Sequence, residues 1–227
     1  MTTPSRPAIR ALVFALAGLL IGGCATAPRT VQLPYAFPVG TPTAAAAAPT
    51  AEIVSVTDSR EDRSFDRFMN EQPTEILRKA LAAELEAGGA FSRVARQGAP
   101  IGGAAVTIDV VLHDLSWAVP NHEGIVKTAF WTSFLTGGLG GLAYGATDTP
   151  VFGHAVVALK ITERASGRVI LAEKLDAVHE EKTAKLKCDS LETRARVMAA
   201  ALKAVLLKAT LATAKARAAA SPPPAAG

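Results

Sequence analysis

Cys24 is the residue of this 227-residue chain whose surroundings point most directly to a chemical modification. It ends an apolar run that begins at Ala11 and follows a basic start with Arg6 and Arg10. A charged start, about a dozen apolar residues and small residues before a cut site are the parts of a secretory signal. The run is shorter than the roughly 20 residues that a transmembrane helix needs. The sequence therefore predicts a signal peptide over residues 1–23.

The segment Ile21-Gly22-Gly23-Cys24 resembles the lipobox of bacterial lipoproteins. The resemblance implies cleavage between Gly23 and Cys24, attachment of diacylglycerol to the Cys24 sulfur, and acylation of the new amino terminus by a fatty acid such as palmitate. Two or more acyl chains anchor a protein stably, because each buried methylene contributes about 0.8 kcal/mol. Ala25 stands where an aspartate is associated with retention in the inner membrane of enteric bacteria. The resemblance thus favours the periplasmic face of an outer membrane.

Charge and cysteine content exclude several classes of partner. Removal of Arg6 and Arg10 with the signal peptide lowers the formal charge from +4 to +2. A near-neutral, exported protein gives no case for binding nucleic acid. Once Cys24 carries lipid, Cys188 stands alone, so neither an intramolecular disulfide nor a cysteine-based metal site is expected.

The sequence also lacks the motifs of common enzyme classes. It contains no Gly-x-Ser-x-Gly elbow and no His-Glu-x-x-His zinc motif. The pairs His113-Asp114 and His122-Glu123 have ligand chemistry, but their spacing does not demand a metal. We therefore expect a protein that is not an enzyme and that carries neither a metal nor a cofactor.

An apolar, glycine-rich insert is predicted over residues 124–153. No charged residue lies from Ala129 through Thr147, and aromatic residues are concentrated there. A stretch of this kind forms a large apolar patch if it is open to water. The candidate contact residues are Phe130, Trp131, Phe134, Leu135, Leu139, Leu142 and Tyr144.

Three accounts of this insert remain open at the level of sequence. In the first, a short helix with Phe130 above Phe134 caps the core of the domain. In the second, residues 129–146 bury against a protein partner or another copy of the chain. In the third, the segment contacts the membrane. The spacing of Gly137, Gly141 and Gly145 would let two helices approach closely.

The remaining chain divides into a tether, one domain and a tail. Recurrent prolines predict an extended, lipidated tether over residues 24–50, and residues 219–227 read as a disordered tail. Residues 51–218 are predicted to form one periplasmic domain of the α/β (α+β) class. We expect a mainly antiparallel sheet of about four or five strands, with two helices packed on one face.

The order of these elements resembles small periplasmic lipoproteins of the YajG kind. The resemblance rests on Thr57-Asp58-Ser59-Arg60 after the first strand and on Gly88-Gly89 after the first helix. The layout is also similar to the periplasmic domain of curli-type secretion lipoproteins, which assemble into rings. Neither resemblance implies an enzymatic reaction. The expected function is that of an envelope adaptor, scaffold or assembly factor, and the alternatives are a ring-forming export lipoprotein or, less expected, an envelope enzyme.

Overall fold

The computed structural model describes residues 30–38, 48–95, 103–136 and 139–220. The predicted signal peptide, its cleavage site at Gly23 and the predicted lipidation site at Cys24 lie outside the described residues. Residues 221–227 of the predicted tail also lie outside them.

Five strands and four α-helices make up the described chain, with a short 3-10 helix at Asp66–Phe68. In chain order they are β1 (Thr50–Asp58), α1 (Pro73–Ala87), β2 (Arg93–Ala95), β3 (Val106–Ala118), α2 (His122–Leu135), α3 (Leu139–Gly145), β4 (Asp148–Glu163), β5 (Val169–Ala184) and α4 (Leu191–Ala220).

The five strands form one mixed sheet in the order β2-β1-β3-β4-β5. Strand β1 runs parallel to both β2 and β3, whereas β3–β4 and β4–β5 are antiparallel pairs. The α+β class and the number of strands are confirmed, but the expectation of a mainly antiparallel sheet is wrong. Helix α1 returns the chain across the sheet after β1, and such a strand–helix connection places the next strands parallel to the first.

Local irregularities appear where the residue pattern predicts them. The pairing of β3 with β4 shifts register between Leu112 and Asp114, where the alternation of apolar residues in the sequence changes parity, which is the pattern of a β-bulge. Gly167 has a φ of 68° in the turn between β4 and β5. Pro73 begins α1, and Gly89, with a φ of 68°, follows its end.

The core lies between one face of the sheet and the helices α1 and α4. Gly153 on β4 allows α4 to approach the sheet closely, because a Cβ there would lie 2.0 Å from the Val197 carbonyl oxygen. By length and composition α4 could cross a membrane, but 56% of its most apolar window is buried, as in a core helix. Fully buried side chains include Ile53, Leu77, Leu81, Ile108, Leu112, Leu159, Ile161, Met198, Leu202 and Leu206.

Ser190 is the amino-terminal cap of α4, although Asp189 with Glu192 three residues later has the residue pattern of a capping box. The Ser190 hydroxyl accepts a hydrogen bond from the Thr193 backbone N–H at 3.2 Å. Asp189 instead forms an ion pair with Arg194. Because α4 begins at Leu191, the residue directly before it is the one placed to cap its first turn.

Part of the segment predicted as a tether packs on the domain, and we call residues 30–38 the strap. The Val31 N–H donates to the Phe68 carbonyl oxygen at 2.7 Å, and the Asn70 N–H donates to the Val31 oxygen at 3.1 Å. Leu33 and Tyr35 are buried in the core. The folded part of the chain therefore begins near Val31 rather than at residue 51.

A buried ion pair holds the strap between α1 and α4. The Tyr35 hydroxyl donates to Glu84 Oε1 at 2.7 Å, and Lys203 forms an ion pair with the same carboxylate. Lys203 Nζ also donates to the Ala36 carbonyl oxygen at 2.9 Å. Burial, together with the neighbouring Glu84 carboxylate, raises the pKa of Tyr35 well above its ordinary value, so its hydroxyl keeps its proton.

Candidate contact surface

Helices α2 and α3 lie between β3 and β4, and together they form what we call the helical hairpin (residues 122–145). The two helices pack closely at Gly141, where a Cβ would lie 1.6 Å from Ser133 Oγ and 3.1 Å from the Ala129 carbonyl oxygen. The expectation that the glycine spacing permits close helix contact is thus confirmed at Gly141. Gly137 lies outside the described residues.

Most of the large apolar side chains of the helical hairpin are exposed. All residues of α2 are described, and Ile125 alone among them is buried. Five of the predicted contact residues are between 57% and 76% exposed, namely Phe130, Trp131, Phe134, Leu135 and Leu139. These side chains do not pack on the core, which rules out the account in which the segment caps it.

The exposed aromatic rings form one continuous cluster. The Trp131 ring lies edge-on to Phe130 with centroids 5.7 Å apart, and to Phe134 with centroids 6.1 Å apart. Val126, which is 54% exposed, extends the same surface and was missed by the sequence analysis. Its spacing of four residues before Phe130 is the signal that could have found it.

The other two predicted contact residues are Tyr144 and Leu142. Tyr144 is half-buried, and Lys185 Nζ lies 3.8 Å from the centroid of its ring, within cation–π range. The side chain of Leu142 lies outside the described residues. The exposed surface is therefore formed mainly by α2 and by Leu139 at the start of α3.

The helical hairpin is joined to the loop between β5 and α4. The Leu186 N–H donates to the Gly145 carbonyl oxygen, and the Lys185 N–H donates to the Thr147 carbonyl oxygen, both at 3.0 Å. A Cβ at Gly145 would lie 2.3 Å from Leu186 Cγ, so only glycine fits there without a shift of the leucine. On the other side, His122 Nε2 lies 3.8 Å from Asp189 Oδ2.

The residues considered for metal binding or catalysis are separated into pairs. His113 Nδ1 lies 2.9 Å from Ser59 Oγ, and His154 Nδ1 lies 2.5 Å from Asp114 Oδ2. His122 contacts Asp189 rather than its neighbour in sequence, Glu123. Within the described ranges, no group of three or more His, Cys, Asp or Glu side chains is arranged to hold a metal ion.

A buried arginine fixes the loop that receives the strap. Arg60 forms ion pairs with Asp58 at 2.7 Å and with Asp66 at 2.8 Å. Hydrogen bonds from Arg60 lower the pKa of Asp58, against the opposing effect of burial. The loop leads to Phe68 and Asn70, whose backbone groups bond to Val31. The charged residues of this loop therefore have a structural role in seating the amino-terminal chain.

Comparisons with known proteins give similar folds at low sequence identity. Neither a protein-family model nor a curated protein matches the chain. It is similar to a DUF330 protein from Xanthomonas campestris, with 11% identity, a TM-score of 0.45, and coverage of 85% of this chain and 98% of that one. The PelC dodecamer from Paraburkholderia phytofirmans has 13% identity, a TM-score of 0.38, and coverage of 76% and 92%.

A minor lipoprotein from Acinetobacter baumannii has 11% identity, a TM-score of 0.37, and coverage of 72% of this chain and 94% of that one. At these TM-scores the similarities do not assign a family or a function to this chain.

Proposed function

We propose that this protein is a lipid-anchored, non-catalytic component of the bacterial envelope that acts as an adaptor or assembly factor. In this proposal Cys24 carries the lipid, and the domain lies on the periplasmic side of the outer membrane. The helical hairpin is the surface through which the protein binds. The observation that carries the proposal is the exposed apolar cluster from Phe130 to Leu139.

Burial of an exposed apolar cluster of this kind is energetically favourable, which supports its assignment as a binding surface. Burial of apolar surface contributes about 25 cal/mol per Å², so covering several large side chains provides a strong driving force. Soluble monomers rarely expose large contiguous apolar patches unless a partner or a membrane covers them. The uncharged stretch from Ala129 through Thr147 leaves little that would favour contact with water instead.

The anchor and the surface are tested separately. Intact-mass analysis of the mature protein is expected to show an acylated chain that begins at Cys24. Replacement Cys24→Ser is expected to prevent both processing and lipid attachment. An unmodified amino terminus in the wild-type protein would contradict the proposed anchor.

The surface is tested by photocross-linking in cells at two matched positions. Phe134 on the helical hairpin and Leu211 on α4 are both 71% exposed. A photoreactive residue at position 134 is expected to form cross-links, to lipid or to a protein, whereas position 211 is not. Equal yields at both positions would contradict a specific binding surface. Products of regular multiples of the chain mass would instead favour the ring-forming alternative.

A further inference from the structure

The topology places the helical hairpin at one defined end of the sheet, which we call the hairpin end. Strands β1 and β3 are parallel, so Asp58 and Ala118 both mark carboxyl ends that point the same way. The helical hairpin follows β3, and the loop of residues 59–72 follows β1. This loop and the helical hairpin therefore emerge from the same end of the domain.

The strap also enters the fold at the hairpin end. Val31 bonds to Phe68 and Asn70, which belong to the loop that follows β1. Four residues later, Tyr35 reaches Glu84 in the last turn of α1. Since α1 begins beside the end of β1 and runs back across the sheet, the strap runs away from the hairpin end. Val31, at the amino-terminal end of the strap, consequently lies at the hairpin end.

The length of β3 beyond Asp58 can be compared with the reach of the chain between Cys24 and Val31. Strand β3 continues six residues beyond Leu112, the partner of Asp58, to Ala118, a rise of about 20 Å. Cys24 precedes Val31 by seven residues. Such a segment spans at most about 25 Å when fully extended. A lipid on Cys24 can therefore lie no farther than about 25 Å from Val31, a reach comparable to the length by which β3 extends beyond Asp58.

Three lysines lie at the end of β5 and just after it, beside the base of the helical hairpin. Lys182, Lys185 and Lys187 occur within six residues that contain no acidic side chain. The backbone of Lys185 is bonded to Thr147 at the carboxyl end of the helical hairpin. Lysines beside an anionic membrane surface are attracted to it. Exposed aromatic side chains beyond a basic base are typical of a segment at the membrane interface.

We infer that the occupant of the apolar surface is the lipid bilayer that holds the Cys24 anchor. The inference deepens the proposed function and rests on the lipid anchor that it assigns. Helix α2 has 14 residues and is about 21 Å long, shorter than the roughly 30 Å hydrocarbon core. The helical hairpin therefore enters the interface of the near leaflet without crossing the membrane. Anchor and helical hairpin together fix the orientation of the domain.

The two tryptophans of the chain allow a direct test with the lipidated, full-length mature protein. The Trp117→Phe variant keeps Trp131 as its single fluorophore. The protein is reconstituted into vesicles of phosphatidylethanolamine and phosphatidylglycerol whose acyl chains carry bromine, a contact quencher. The matched control adds Trp131→Phe and Leu211→Trp, which places one exposed fluorophore about 30 Å along α4 from its first turn.

Trp131 emission is expected to shift to shorter wavelength and to be quenched strongly, by at least about half, whereas the control at position 211 is not quenched. Intact-mass analysis shows independently that both variants carry the anchor, and flotation shows that both are bound to the vesicles. Unquenched Trp131 emission in a protein that floats would overturn the lipid contact and leave the anchor intact. A Trp131 emission already shifted without lipid, in an assembly larger than a monomer by light scattering, would overturn it in favour of a second copy. Failure to float would contradict the proposed function itself.

Discussion

Helices α2 and α4 present similar apolar spacing but have opposite surroundings. Phe130 and Phe134 on α2 lie four residues apart, as do Leu202 and Leu206 on α4. The leucines are fully buried against the sheet, whereas the phenylalanines are mostly exposed. The difference arises from topology, because α4 follows β5 back across the sheet while α2 leaves the end of β3. Apolar periodicity thus identifies a face that must be covered, and the fold decides what covers it.

The largest effect is expected from filling the contact between α4 and β4. Replacement Gly153→Leu would place side-chain atoms where the Val197 backbone now lies. Backbone cannot move aside as a flexible side chain can, so we expect loss of the cooperative unfolding transition measured by circular dichroism. The control Ala158→Leu lies on the opposite face of the same strand, which none of the described helices covers, and should retain the transition. A folded Gly153→Leu protein would show that α4 is not packed as described.

The ion pair beneath the strap should contribute more to stability than an exposed ion pair. Replacement Glu84→Ala removes the carboxylate that binds Lys203 and the Tyr35 hydroxyl. Because Lys203 is partly exposed, we expect a cost at the lower end of the about 3–5 kcal/mol typical of breaking a buried pair. The matched change Glu181→Ala breaks the more exposed ion pair with Arg196 and should cost less than about 1 kcal/mol. Urea denaturation measures both. Equal costs would mean that the strap is not held in the core.

Truncation of a large apolar side chain to alanine should lower the free energy of unfolding much more in α4 than in α2. Leu202→Ala removes a fully buried side chain and is expected to lower the free energy of unfolding by about 2–5 kcal/mol. Phe134→Ala, although it removes more atoms, should change it by no more than about 0.5 kcal/mol, because the ring contacts little of the domain. Thermal unfolding of the chain that begins at Ala25 tests both. A large loss for Phe134→Ala would contradict its exposed position.

A smaller effect is expected on acidification. The folded-state pKa of Asp58 lies below its ordinary value of 3.8, so the unfolded chain binds the proton first as pH falls. The contribution of Asp58 is therefore complete above about pH 5 and is lost as pH falls through 3.8 toward the folded-state pKa. The slope of stability against pH in this range should be shallower in Asp58→Asn. An unchanged slope would show that the Arg60 cluster does not contribute to acid sensitivity.

Local features of the fold were predictable where a few adjacent residues decide them. The bulge near Asp114, the turn at Gly167 and the start of α1 at Pro73 each depend on short-range sterics. The parallel pairing of β1 was not predictable in this way, because it depends on where α1 returns the chain. The burial of Leu33 and Tyr35 in a proline-rich segment was also not predictable, since it depends on contacts distant in sequence.

The candidate contact surface was predictable in identity but not in exposure. The absence of charge from Ala129 through Thr147 and the crowding of aromatics pointed to the correct residues. The sequence did not show whether these residues faced the core, because apolar residues at the same spacing also occur in buried helices such as α4. The direction of the helical hairpin relative to the strap required the order of the strands in the sheet.

The most direct test of the central claim is vesicle flotation of the chain that begins at Ala25, which contains every described residue but no lipid attachment site. We expect this chain to bind vesicles of phosphatidylethanolamine and phosphatidylglycerol through the helical hairpin alone. Replacing Phe130, Trp131, Phe134 and Leu135 together by serine should weaken binding by at least about tenfold, because most of the buried apolar area is lost. Its cooperative unfolding should be unchanged. Equal partition of the two folded chains, or no binding by either, would contradict the account.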